Sequence, residues 1–390
     1  MQVSKLFLAL MASASLAAPA LAQTPPQYTI NDIGRPTGNN VSHATDISSS
    51  GEYTVGRGVV GNNHAYVWSQ ASGRTDLNGL AGYNNNWATG VNDAGLVVGM
   101  ASSSANVDAG ISYYTTNPVP VVWINGTATP LAAGGRVFDV NNSGLAVGST
   151  GTVGSPTETA VIYNTSTLTT TSITATSADG VAMTSALGIN DSGLIYGTGT
   201  FAGSTVGLLY NSVTNSMTRI QSADGSIVPN QITGINNNGM GVANVAAANG
   251  VDSMPYTFGA DGTLMSVALP SGATAGWVTG INDQGWIVGY AKGLPGSNGQ
   301  VPFINIAGTS YLLGDYVDTT GWNWGGTNTT VVLGIGNNGD IIGYTQNVTD
   351  GNRVHGFVLT PVPEPSTYAL MALGLVGVGA VARRRQQAAA

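Results

Sequence analysis

The sequence predicts an all-β fold: a seven-bladed β-propeller closed by its own N-terminal strand and followed by a C-terminal transmembrane helix. Three observations predict it. A hairpin motif recurs seven times, its spacing fits a four-stranded unit, and the two ends of the array each hold a piece the other lacks.

The motif is two short apolar runs around Asn-Asp-x-Gly or Asn-Asn-x-Gly, as in ATGVNDAGLVVG from Ala88, VFDVNNSGLAVG from Val137, ALGINDSGLIYG from Ala186 and VTGINDQGWIVG from Val278. Looser copies start at Ala44, Ile232 and Val332. Asn and Asp open such a turn by bonding nearby backbone, and glycine supplies the positive φ that closes it. The turn glycines are Gly51, Gly95, Gly144, Gly193, Gly239, Gly285 and Gly339, spaced 44 to 54 residues apart. Leucine-rich and β-helix repeats are far shorter, whereas a propeller blade takes roughly 40 to 50 residues.

A third apolar strand follows in every copy, beginning at His64, Pro120, Thr159, Val206, Met254, Val301 and His355. The first six copies add a fourth strand, of which the segment from Leu168, LTTTSITAT, is the most polar. The seventh copy ends before its fourth strand, yet QYTINDIG from Gln27 precedes the first copy. That segment can complete the last blade and remove the open edges of an unclosed array. An open solenoid would leave it without a partner.

Composition agrees. Charged residues make up 8% of the chain and hydrophobic residues 42%, too apolar for disorder, and 56 glycines are too many for a helical fold. The formal net charge is −8, and Lys5 and Arg383 to Arg385 lie in terminal segments, so the domain between is more acidic still. That argues against nucleic acid and anionic membrane surfaces, which need clustered cations. There is no cysteine, which rules out disulfides, thiolate metal sites and a cysteine nucleophile.

The boundaries are read as a signal peptide at 1–22, the repeat domain at 23–361 and a sorting tail at 362–390. The N-terminus has Lys5, an apolar run at 6–16, then Ala20-Leu21-Ala22, with signal peptidase cleavage expected after Ala22. The tail has Val362, Pro363, Glu364 and Pro365, an apolar segment at 368–382, and Arg383, Arg384 and Arg385. The arginines mark the cytoplasmic end of a short span. This tail resembles a PEP-CTERM sorting signal. The resemblance implies reading by an exosortase-type membrane transpeptidase, cleavage near 363–365, and release or attachment at the cell surface or in the extracellular matrix, after transient inner-membrane anchoring by the C-terminal helix.

The repeat itself is similar to the HAF repeat of bacterial extracellular proteins, with its best matches at 88–99, 186–197 and His64 to Trp68. His64-Ala65-Tyr66 and His355-Gly356-Phe357 keep the name-giving triplet approximately, and Ala243 replaces the last glycine of the fifth copy. The resemblance implies an extracellular propeller and supplies no catalytic residues.

Chemistry is sparse. Before the tail the only glutamates are Glu52 and Glu158, both placed outside the inner-strand positions that would line a channel. Asp46, Asp93, Asp139, Asp191 and Asp283 recur, and their recurrence reads as turn or strand geometry. His43, His64 and His355 have no metal-ligand spacing, and neither a nucleophile elbow, a P-loop nor a dinucleotide fingerprint occurs. No catalytic residue, cofactor or metal is therefore expected. Tyr83, Trp87, Trp277, Trp322 and Trp324 fall in or beside the links between blades and are candidate ligand-face aromatics, suited to stacking on sugar faces. The alternative is that these rings pack between blades. The expectation is an exported, non-enzymatic binding or structural platform, with exopolysaccharide as candidate ligand. A carbohydrate-active propeller enzyme, glycosidase or lyase, is the rival, and two or three Asp side chains converging in the central channel would favour it.

Overall fold

The computed structural model describes residues 24–363 except 36–40, 60–63, 104–117, 153–154, 156, 298 and 326–329. The processing positions Ala20 and Ala22 and the sorting residues Glu364, Pro365, Arg383, Arg384 and Arg385, with the expected helix, lie outside the described residues. Among the described residues no helix is long and apolar enough to cross a membrane.

The chain forms seven antiparallel sheets. Blade 1 comprises Val41–Ile47, Tyr53–Val59, His64–Ser69 and Gly73–Asp76. Blade 2 comprises Asn85–Val91, Val97–Ser102, Val119–Ile124 and Thr127–Pro130, and blade 3 Arg136–Val140, Leu145–Thr150, Thr159–Asn164 and Thr169–Ser172. Blades 4 to 6 repeat the pattern from Met183–Ile189, Gln231–Ile235 and Ala275–Ile281 to Ser216–Arg219, Leu264–Ser266 and Thr309–Leu312. Within these six, spatial order equals chain order.

Blade 7 is built from both ends of the domain. Val331–Ile335, Ile341–Asn347 and Arg353–Val362 are followed in space by the N-terminal strand Gln27–Gly34. The pairing runs from Gln27 opposite Val362 through Ile30 opposite Leu359 to Gly34 opposite Gly356. A two-residue strand, Trp322–Asn323, also pairs with Asn347 and Gln346. The ring is thus closed by a seam between distant parts of the chain, as the orphan first segment predicted.

The core is divided among the blade interfaces. One apolar cluster joins Val98, Met100 and Val122 of blade 2 to Val137, Ala146 and Tyr163 of blade 3, and six others fill the remaining interfaces. At the seam, Ile33, Ile342 and Val358 meet Ala44, Ile47, Tyr66 and Trp68 of blade 1. Each fully buried aliphatic contributes about 1.5–3 kcal/mol relative to exposure. The propeller's stability therefore depends on every blade having two neighbours.

All first-to-second strand turns lie on one side of the disc, here the turn face. The second-to-third loops and the blade-to-blade links lie on the other, the loop face.

Candidate functional site

Every first strand carries a register shift at the same place, between Ala44 and Asp46 in blade 1 and between Ala88 and Gly90 in blade 2, and equivalently in blades 3 to 7. Such a bulge twists the strand and re-aims its side chains. In four blades the bulged residue is threonine. The Thr45, Thr89 and Thr233 hydroxyls donate to the next blade's Ala88, Val137 and Val278 carbonyls at 2.8, 3.0 and 3.0 Å. The following residue is glycine in five blades, and at Gly90, Gly280 and Gly334 the next blade's inner strand presses against it. A Cβ on Gly90 would lie 2.8 Å from the Asp139 Cα.

The two exceptions are Asp46 and Asp139, which line both the turn-face cavity and the loop-face cavity of the channel. Asp46 Oδ2 accepts the Val91 N–H at 3.0 Å. Asp139 accepts Val140 N–H on Oδ1 at 2.7 Å and Ile189 N–H on Oδ2 at 2.9 Å. Each carboxyl therefore clasps the following blade. Burial, and then the nearby Asp139 charge, hold Asp46 well above the ordinary carboxyl range. Burial pushes Asp139 up to about 6. Both remain half-buried beside the channel.

On the turn face the repeat builds two concentric belts. In blades 2 to 6 the first Asn of the motif closes its own turn and ties to the next blade, while Ser48 and Gly336 hold this position in blades 1 and 7. Asn141 Oδ1 accepts from Ser143 and Leu145 N–H, while its amide donates to the Asn190 carbonyl. Asn92, Asn190, Asn236 and Asn282 donate onward in the same way. The next position alternates: Asp93, Asn142, Asp191, Asn237, Asp283, Asn337, with Ser49 in blade 1. Backbone N–H groups of Asp93, Asn142, Asp191, Asn237 and Asp283 each donate to the following side chain at 2.7–2.9 Å. The Asn142 amide also bridges Asp93 and Asp191 at 2.8 and 2.9 Å. No two carboxylates of this belt are neighbours. The sequence reading caught the local turn role of these residues and missed the blade-to-blade one, which the Asp/Asn alternation signals.

On the loop face the channel widens into a funnel of about 1020 Å³. Its walls differ. Blade 4 is rich in hydroxyls, with Thr184, Ser185, Thr198, Thr200 and Thr205 beside Leu187 and Tyr196, whereas blades 6 and 7 are rich in rings, with Trp277, Tyr290 and Tyr344 beside Thr279 and Leu333. Lys292 lies 5.9 Å from the Trp277 ring and pairs with Asp252. His43 stacks on Tyr344 at 4.0 Å, and burial, reinforced by Arg57, lowers its pKa to about 4. Glu158 lies outside the inner strands, yet it also reaches the funnel, from the second-to-third loop of blade 3, and pairs with Arg136.

The five aromatics singled out from the sequence do not form one face. Trp87 is 1% exposed and packs between blades 2 and 3, so its ring offers no open surface. Tyr83 rests half-buried on the blade 1–2 core, and Trp324 rests on the blade 6–7 core beside Phe357. Trp322 stands edge-on to His355, with ring centroids 6.3 Å apart. Only Trp277 of the five lines the funnel. Tyr290 and Tyr344 were missed because they lie on second strands.

The histidines are dispersed. His64 is exposed, whereas His355 is buried at the seam between Asp32 on Nδ1 at 2.9 Å and Asp350 on Nε2 at 2.9 Å. Burial alone would lower its pKa, but bonds to Asp32 and Asp350 carry the net shift upward. Among the described residues no cluster of three or more His, Asp or Glu side chains is arranged to hold a metal ion.

This architecture defines the class: a closed seven-bladed propeller whose last strand runs into a sorting tail. Residues 361–385 match the PEP-CTERM protein-sorting motif. The chain is accordingly an exported protein, sorted through the membrane before processing by exosortase-type machinery. No curated protein matches the sequence. Among solved structures, the oligogalacturonate lyase of Vibrio parahaemolyticus is similar with a TM-score of 0.52 at 12% identity, over 86% of this chain and 94% of that one. An oligogalacturonate lyase in complex with manganese gives 0.50 at 10% identity, over 88% and 99%. At such identity the likeness is one of fold.

Proposed function

We propose that the protein is a non-enzymatic binding platform displayed outside the cell, whose funnel takes an uncharged segment of an extracellular polysaccharide. The observation that carries this reading is the contrast of the funnel walls, rich in hydroxyls on blade 4 and in rings on blades 6 and 7. Apolar sugar faces stack on aromatic planes, and sugar hydroxyls exchange hydrogen bonds with Thr and Ser. Of the ionisable side chains that line the funnel, Arg136 pairs with Glu158, and Asp46 and Asp139 accept backbone N–H groups of the following blades, while Lys292, beside Trp277, pairs with Asp252. The resemblance of the repeat to the HAF type supports the same extracellular setting.

One observation favours the rival, a carbohydrate-active enzyme: Asp46 and Asp139 are two channel carboxyls with raised pKa values, as a general acid requires. Against it, both Asp139 oxygens are engaged by backbone N–H groups. Glycan-array binding with the purified protein, run beside a polysaccharide-cleavage screen, tests the two. On the platform reading Trp277→Ala weakens glycan binding about tenfold, Asp139→Asn leaves it intact, and no polymer is shortened. Chain shortening abolished by Asp139→Asn would install the enzyme instead.

A further inference from the structure

Where the chain leaves the disc fixes which way the disc faces. The third strand of blade 7, Arg353–Val362, runs from the loop face to the turn face, and its last residues lie beside the blade 7 turn: a Cβ on Gly339 would come 3.1 Å from the Pro361 ring. Gln27, opposite Val362, leaves from the same point on the rim. The sorting motif begins at residue 361, inside this strand, so no linker separates folded domain from signal. Only residues 363–367 stand between the strand end and the apolar segment at 368–382. Five extended residues reach at most about 18 Å.

We infer that, while the chain is anchored, the turn face is apposed to the bilayer and the funnel points away from it. The tether holds this orientation, and adhesion of the face does not. The first-to-second and third-to-fourth strand turns contain no Lys or Arg, while Glu52, Asp93, Asp191, Asp261 and Asp283 all lie in them. A surface of that sign is repelled by anionic lipid. The face therefore stands off the membrane by a few residues of chain and separates from it once the tail is cut. This inference is independent of what the funnel binds.

The absence of cysteine makes the test direct. Full-length protein is inserted through its tail into vesicles containing anionic lipid and a headgroup quencher. It carries a single fluorophore at Ser143→Cys on the turn face or at Ser204→Cys on the loop face, both exposed positions. The expected result is quenching several-fold stronger at 143 than at 204. Equal quenching, or the reverse order, overturns the orientation. Twenty Gly/Ser residues inserted between 362 and 363 should erase the difference. A difference that survives the insertion shows that the face itself binds lipid, and overturns the tether account.

Discussion

The two faces of the disc use the same seven repeats in opposite ways. On the turn face each blade makes nearly the same bonds as the one before: an Asn closing its own turn and reaching to the next, and an Asp or Asn accepting the preceding backbone. On the loop face equivalent positions diverge, so that a wall rich in hydroxyls stands opposite one rich in rings. Repetition there would produce seven identical small sites, whereas divergence produces one large asymmetric site. The repeated residues assemble the ring and the non-repeated residues give it something to recognise.

Removing the closing strand should break this contrast most severely. Without Gln27–Gly34 the last blade loses its outer strand, and the buried Tyr28 and Ile33 side chains leave the core. Belts and funnel should fail together, at a cost on the scale of a whole domain's stability, about 5–15 kcal/mol. Differential scanning calorimetry of a chain lacking 27–34 should show no single cooperative transition. A normal transition would mean that the blades hold without closure.

A smaller change sharpens the comparison. Asn190 is buried, accepts the Leu194 N–H at 2.9 Å and donates to the Asn236 carbonyl at 2.8 Å. Asn190→Ala strands both partners and should cost about 2 kcal/mol in urea unfolding. Gln231→Ala on the loop face, where the side chain is exposed, should cost less than about 0.5 kcal/mol. Equal losses would remove the division of labour.

The smallest effect is at the level between the faces. Burial raises the Asp139 carboxyl from its ordinary value of 3.8 to about 6. The folded state holds the extra proton between those values, so this group's contribution to stability falls as pH rises through that window. Relative to Asp139→Asn, the native protein should lose about 1–2 kcal/mol between pH 4 and 6.5. Parallel pH profiles of the two would locate the titration elsewhere. His43 acts in the opposite sense: its lowered pKa gives stability that is lost as pH falls from 6.5 towards 4, and the comparison with the variant cancels that contribution.

The architecture was legible because its determinants are local. A turn of Asn-Asp-x-Gly type needs only its own residues, as Gly95 with φ +73° and Asn92 accepting from Ala94 and Leu96 show. Even closure was visible, since a missing strand at one end and a spare one at the other are both features of the string. The site was less legible because its placement depends on neighbours. Trp87 and Trp277 occupy the same position of the repeat, opposite Met100 and Tyr290, yet the first is sealed between blades and the second opens on the funnel. What covers a ring is decided by the adjoining blade, which spacing along the chain does not encode. Glu158 shows the same limit: it belongs to a loop, and only the fold brings it to the channel mouth beside Arg136.

The outer belt of the turn face constrains how such a ring can grow. Two kinds of member cannot alternate around an odd circle without one misfit, and Ser49 is that misfit, in the blade adjoining the seam: Asn337 N–H donates to its carbonyl at 2.7 Å, and Ser50 N–H donates to Asp93 at 2.6 Å. Duplicating any one of blades 2 to 7 would set two carboxylates, or two amides, side by side. Duplicating an adjacent pair among blades 2 to 7 would preserve the order, so the belt favours growth in steps of two blades over growth by one.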